Sequence, residues 1–207
     1  LAAVGSTTEL LSLLTTLFIG FSIGANVNVA RTLGNQDDQG TKDGVHTAIS
    51  VSILSGSSMI LLGFLFGRPM LQWMGTPTDV IDKSSLYLMI IFIGMPSNMA
   101  YNFGSAILRA MGDTKRPLYF LSVAGVLNVV LNLIFVIVLH MDVAGVALAT
   151  ILSETLSAVL ILNCLCRTDG PCHLNIRKLY IQKDQLIRML RIGLPAGIQS
   201  GMFSFSN

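Results

Sequence analysis

The sequence predicts an all-α fold, a polytopic bundle of membrane-spanning helices, on three observations. Only 12% of the 207 residues are charged and 52% are apolar, with a mean hydropathy of +0.69, where a soluble domain carries roughly a quarter charged residues. The few charges are clustered, so that long uncharged runs separate them. The basic residues also fall almost wholly into alternate loops.

The uncharged runs place the elements in order. Leu10 to Ala30 covers 21 residues, Gly44 to Gly67 covers 24, and Ser84 to Leu108 covers 25. Pro117 to Met141 adds 25 and Val143 to Cys166 adds 24, the last interrupted only by Glu154. Ile192 to Asn207 gives 16 more. A helix rising 1.5 Å per residue needs roughly 20 apolar residues to cross a hydrocarbon core about 30 Å thick. Five runs meet that length and the sixth reads as a span cut short. A buried soluble bundle would need five consecutive helices apolar on every face, which leaves no polar face for water. Gly20, Gly24, Gly56, Gly63, Gly94, Pro96, Gly104 and Gly125 lie inside the runs, as suits membrane helices.

Loop charge sets the orientation. Arg31, Lys42, Arg109, Lys115, Arg116, Arg167, Arg177, Lys178, Lys183, Arg188 and Arg191 lie on one side, and only Arg68 and Lys83 on the other. The side with 11 basic residues is cytoplasmic, because basic loops resist translocation. The first span therefore runs inward. The chain opens on LAAVGSTTEL, with neither Met nor a basic leader, and closes on FSFSN inside an apolar run. That predicts no signal peptide and a fragment cut at both ends. Residues 174–191 place Leu174, Leu179, Leu186, Ile187 and Leu190 among Arg, Lys, Gln and Asp, an amphipathic pattern expected along the cytoplasmic face before a helix start at Gly193 to Pro195.

Polar groups inside the spans are the candidates for chemistry, since each is costly in hydrocarbon unless partnered or hydrated. The fourth and fifth runs are joined by a short outer turn, so their helices run antiparallel and adjacent. Asn132 and Thr150 each lie eight residues from that turn, and Asn128 and Glu154 each lie twelve. Those depths are about 12 Å and about 18 Å, the second near the bilayer centre. Residues four apart share a helix face, so two polar stripes stand at matching depth. Asn and Thr often serve as interhelical glue. Glu154 differs, because a carboxylate without a nearby Lys or Arg at mid-membrane is expected to bind a proton or cation. Asn98 and Asn102 beside Pro96, and Asn26 in the first span, are weaker candidates for a substrate path, which capping and packing explain equally well. Glu9 reads as a solvated helix start.

Other chemistries find little support. Gly112 to Lys115 lacks the spacing of a phosphate-binding loop and follows a helix rather than a strand. Cys164, Cys166, Cys172 and His173 match no common zinc spacing, and no metal is expected. No nucleophile and base stand at recognisable spacing, so the chain reads as a non-enzyme. A single Trp and 7% aromatic residues give no platform for nucleic acid.

Several segments, in this order and spacing, resemble the multidrug and toxic compound extrusion (MATE) family, in the bacterial branch similar to DNA-damage-inducible F-type proteins. They are LAAVGS, the G-x-S-x-G-A-N run at Gly20 to Asn26 with ARTLGNQD after it, and LRAMGDTKRP. The N-x-x-L-N element at Asn128 to Asn132, AGVALATILSE and RIGLPAGIQSGMFSFSN complete the set. The resemblance implies two six-helix lobes, with this chain supplying the N-terminal lobe truncated at both ends. Residues 1–166 become helices two to six, 167–191 the cytoplasmic linker between lobes, and 192–207 the start of helix seven. It also implies a monomeric plasma-membrane antiporter that exports cationic or amphiphilic drugs. The coupling ion would be H⁺ or Na⁺, with no organic cofactor. Asn128 and Thr150 match the Asn and Thr of the family's N-lobe cation site, whose Asp on helix one lies upstream. Asn132 stands where that site has a second Asp, which removes a charge, and Glu154 could restore it. Phe203 lies near the position where another branch has Glu. A lipid-linked oligosaccharide flippase of the same superfamily and a non-transporting membrane protein are the alternatives.

Overall fold

The computed structural model describes residues 2–73 and 81–205, with side chains in those ranges except at 2–14, 17, 70, 73, 201 and 203–205. Glu9 and Phe203 thus fall outside the described side chains. Six long helices follow one another: α1 (Ala2–Gly34), α2 (Asp38–Trp73), α3 (Ile81–Ala110), α4 (Lys115–Asn132), α5 (Asp142–Arg167) and α6 (Lys183–Phe205). Leu133–Val138 continues α4 as a π-helical segment, and Ile176–Lys178 forms one 3₁₀ turn. Among the described residues, four helical stretches are long and apolar enough to cross a membrane: Asp38–Pro69, Ile81–Ala110, Lys115–Val138 and Asp142–Arg167. The run from Leu10 to Ala30 falls on α1.

Local chemistry ends each helix where the charges begin. At the close of α3, the Asp113 amide donates to Leu108 O at 3.0 Å and the Gly112 amide to Arg109 O at 3.0 Å. This double closure places its turning residue in the left-handed region, and Gly112 sits there at φ +83°. Asp113 then accepts from the Arg116 amide at 3.1 Å, satisfying one free donor at the start of α4. Asp37 does the same for α2, accepting from the Gly40 amide at 2.9 Å. The Gly-Asp-Thr-Lys run is therefore a helix stop followed by a helix start.

Small residues let the helices approach closely. A methyl at Gly20 would overlap the backbone of Gly197, and one at Gly24 would overlap the Met189 carbonyl, so α1 and α6 cross on glycine. Gly56 meets the backbone of Pro96 in the same way, joining α2 to α3. A Cβ on Gly94 would stand 2.7 Å from Ile151 Cγ1, and one on Gly104 would stand 2.9 Å from Ile161 Cγ2, so α3 and α5 lie side by side in parallel. Such contacts carry helix association where lipid supplies no hydrophobic drive.

The sequence reading opens a helix at Gly193; in the structure the helix opens at Lys183, and Gly193 and Pro195 lie inside it. The residues from Lys183 to Arg191 are good helix formers. Their buried side, Gln185 and Met189, packs on α1, where Asn28 Nδ2 donates to Gln185 Oε1 at 2.7 Å. Pro195 lacks only the N–H that would reach Arg191, a loss membrane helices tolerate. Between α5 and α6 the chain docks onto the start of α2. Leu174 and Cys172 are buried in the apolar core, and the Gln182 amide donates to Thr47 Oγ1 at 3.0 Å. The Tyr180 ring stacks on His46 with centroids 5.2 Å apart. Burial, and its hydrogen bond to Asp43 at 2.5 Å, push the Tyr180 phenol up to about 12.

Two buried apolar clusters fill the bundle. One joins Ala25, Val45, Phe103, Ile107, Ile161 and Leu165 toward the basic end. The other joins Met59, Leu88, Phe92, Met99 and Ala147 toward the opposite end. Between them, at residues 97–102 and 153–157, lies a polar layer.

Candidate functional site

Glu154 lies in that layer on α5 and faces α3. Its Oε1 accepts from Asn98 Nδ2 at 2.8 Å. Asn98 is itself held: Asn102 Nδ2 donates to both its backbone O and its Oδ1, each at 2.9 Å. One turn of α3 thus presents an amide donor to the carboxylate, and the next turn fixes that amide's orientation. Ser97 Oγ and Thr155 Oγ1, 3.1 Å apart, join the same two helices. The glycines at 94 and 104 bracket the layer, and the close approach they permit lets side chains as short as Asn and Glu meet. The described ion pairs are Arg68–Asp82, Lys83–Asp142 and Arg116–Asp113, so no Lys or Arg pairs with Glu154 among the described residues. A half-buried carboxylate held by a neutral amide keeps its capacity to bind H⁺ or a metal cation, which an ion pair would have taken up.

The other candidates form a second group, between α4 and α5. Asn128 Nδ2 donates to Ser153 Oγ at 3.2 Å, and Ser153 Oγ donates to Thr150 O at 2.8 Å. Asn132 Nδ2 donates to Asn128 O and Oδ1, each at 3.0 Å, as residues one turn apart can. Asn132 Oδ1 is buried without a partner among the described residues, directly before the π-helical segment. Thr150 Oγ1 donates to Val146 O at 3.0 Å within its own helix. No described hydrogen bond joins the Glu154 carboxyl to the side chains of Asn128, Asn132 or Thr150. Adjacent positions on a helix point about 100° apart, so Ser153 meets α4 while Glu154 meets α3.

Asn26 stands apart from both groups, with Nδ2 donating to Ala106 O at 2.7 Å and so tying α1 to α3. Ser153, Ser97 and Thr155, which the sequence did not single out, carry part of the polar layer. Their one signal was adjacency to Glu154 and Asn98. Cys164, Cys166 and Cys172 are free thiols. Among the described residues, no three His, Cys, Asp or Glu are grouped to hold a metal. Burial pushes the Cys172 thiol up.

A helical bundle with four stretches long and apolar enough to cross a membrane, among the described residues, defines a multi-pass membrane protein. The MatE family model matches residues 1–134, and the chain belongs to this family of plasma-membrane transporters, which are not enzymes. It is 30% identical over 212 residues to the probable multidrug resistance protein YoeA of Bacillus subtilis (strain 168), across 99% of this chain and 46% of that one. It is 34% identical over 202 residues to the probable multidrug resistance protein YpnP of the same organism, across 96% of this chain and 44% of that one. A solved inward-facing multidrug resistance MATE family transporter of the MOP superfamily superposes with a TM-score of 0.92. Identity there is 25%, covering 100% of this chain and 47% of that one. The chain therefore spans about half the length of the relatives it matches.

Proposed function

We propose that this chain supplies the N-terminal lobe of a cation-coupled antiporter that exports cationic or amphiphilic small molecules, and that Glu154 binds the coupling H⁺ or Na⁺. The observation that carries the reading is the Glu154 carboxylate, held at mid-span by the Asn98 amide at 2.8 Å and by no described basic group. Such a group changes its charge or its ligand as each face of the bundle opens, which is what coupling requires. Asn128, Asn132 and Thr150 form a second cation position in this reading, with the unpartnered Asn132 Oδ1 as its free ligand. Residues 167–191 link the lobes, and the rest of α6 opens the second one, so that its glycine crossing with α1 lies where the lobes meet. The names of the relatives support a drug-like substrate. The described basic side chains lie at the helix ends, which favours drugs over a pyrophosphate-linked lipid. The transporter acts as a monomer, needs no organic cofactor and requires no nucleic acid.

The test uses the full-length protein in everted vesicles, with ethidium or norfloxacin as substrate and an imposed pH or Na⁺ gradient. Glu154→Gln keeps the shape and the acceptor for Asn98 but removes the charge. Efflux driven by the gradient should fall by at least about tenfold, in line with loss of an essential proton-transfer or ion-binding group. Unchanged efflux with an unchanged pH profile rejects Glu154 as the coupling group. Failure of the native protein to move any cationic compound rejects the antiporter reading itself.

A further inference from the structure

Outside the polar layer, a groove of about 520 Å³ lies between the first turns of α4 and the last turns of α5. Tyr119 and Val123 of α4 and Leu160 of α5 form its walls, and Lys115 and Arg116 stand at its mouth. Only Pro117 and Ala124 of α4 are buried, while Leu118 is 65% and Tyr119 74% exposed. The described helices leave this side of α4 uncovered. The groove opens on that uncovered side, and its carbon walls suit an acyl chain better than a polar solute. Its mouth is chemically different. Lys115 has no described side-chain partner, and the first turn of α4 adds the positive end of a helix dipole. Arg116 Nε is 3.1 Å from Asp113 Oδ2, which offsets part of its charge. Its Nη1 meets only the weak acceptor Cys164 Sγ, at 3.6 Å, and a phosphate oxygen is a far better partner for that N–H.

We propose that this groove is a binding site for an anionic glycerophospholipid of the cytoplasmic leaflet. The phosphate rests on Lys115 and Arg116, the Tyr119 ring lies at headgroup level, and one acyl chain runs along Val123 and Leu160. Three features agree on this occupant. The basic loops place this end of the bundle in the leaflet that carries anionic lipid. A free phosphate would leave the carbon walls uncovered, and a neutral lipid would leave Lys115 without a counter-charge. The bound lipid also bridges α4 and α5, the helices that carry Asn128, Asn132, Thr150 and Glu154. The site is independent of the transported substrate.

The test is photo-crosslinking of the full-length protein in nanodiscs, using phosphatidylglycerol or phosphatidylcholine with a diazirine on one acyl chain, followed by peptide mapping. Phosphatidylglycerol should label peptides containing Tyr119 to Val123 or Leu160 to Cys164 roughly tenfold more than phosphatidylcholine does. The double variant Lys115→Gln/Arg116→Gln should abolish that preference, since each basic residue contributes to holding anionic lipid. Val123→Trp fills the groove without touching a charge or the Arg116 contacts, and should lower labelling by both probes at these peptides, which covers a double variant that fails to fold. Equal labelling by the two lipids, label absent from these peptides, or labelling indifferent to Val123→Trp overturns the proposal. Loss of labelling in excess inorganic phosphate also overturns it, because the mouth would then be a site for a free anion.

Discussion

Asn98 and Glu154 show how much a single hydrogen bond decides at the residue scale. In hydrocarbon, Glu154 needs a donor, and the described donor to its Oε1 comes from Asn98 at 2.8 Å. Replacing Asn98 with Leu keeps the branched shape but leaves the carboxyl without that donor, while the Asn102 amide keeps only its bond to the backbone O of residue 98. The cost of such unpartnered buried groups is about 1–3 kcal/mol. Asn98→Leu should lower the unfolding temperature of the purified full-length protein and shift the pH profile of its transport. A role confined to packing would move the first reading and leave the second unchanged. Ser97→Ala removes the hydroxyl contact beside it without touching the carboxylate, so its pH profile should match the native one. The polar residues themselves were legible in the sequence, because charge and amide groups stand out in uncharged runs. Their pairing was not. Matching depth on α4 and α5 left open whether the two stripes face each other; in the structure Ser153 turns to α4 and Glu154 to α3. Rotation is set by how the surrounding helices pack, which depth from a turn does not encode.

Helix packing answers for the glycines. A methyl at Gly20 would meet the backbone of Gly197, which cannot swing aside as a side chain would. Gly125 lies inside α4 with nothing within 4 Å of such a methyl. Gly20→Ala should therefore destabilise the full-length protein by roughly 1–3 kcal/mol, as overpacking does. Gly125→Ala should be neutral or stabilising by up to about 1 kcal/mol, the helix preference of Ala over Gly. Thermal unfolding of the two variants side by side decides it, and equal shifts would show that glycine here is a matter of helix propensity alone. Uncharged runs located the spans but understated the helices. Asp38–Trp73 extends beyond the run from Gly44 to Gly67 at both ends, because polar residues continue a helix once it leaves the hydrocarbon. The π-helical turns at Leu133–Val138 left no mark in a run of ordinary apolar residues, since such a register change depends on local hydrogen bonding rather than on side-chain type.

For the whole molecule, the structure gathers the basic loops at one end of the bundle. Residues 168–182 fold back onto α2 and α5 there, with the Asn175 amide donating to His46 Nε2 at 3.2 Å and the Leu174 amide donating to Leu165 O at 3.2 Å. At the opposite end the two basic residues are both paired, Arg68 with Asp82 at 3.0 Å and Lys83 with Asp142 at 2.7 Å. Arg116 at the basic end likewise pairs with Asp113, so the asymmetry that orients the bundle rests on the number of Lys and Arg at each end. Cysteine labelling of the full-length protein in intact cells tests the orientation. Cys164, Cys166 and Cys172 are replaced first, with Ala at the buried position 172, and a single cysteine is then introduced at Asp82 or at Asp169, both exposed. A membrane-impermeant maleimide added outside should label Asp82→Cys and spare Asp169→Cys until the cells are permeabilised. The opposite pattern would place the linker outside, put the groove at Lys115 and Arg116 in the wrong leaflet, and reverse the direction in which Glu154 takes up its ion.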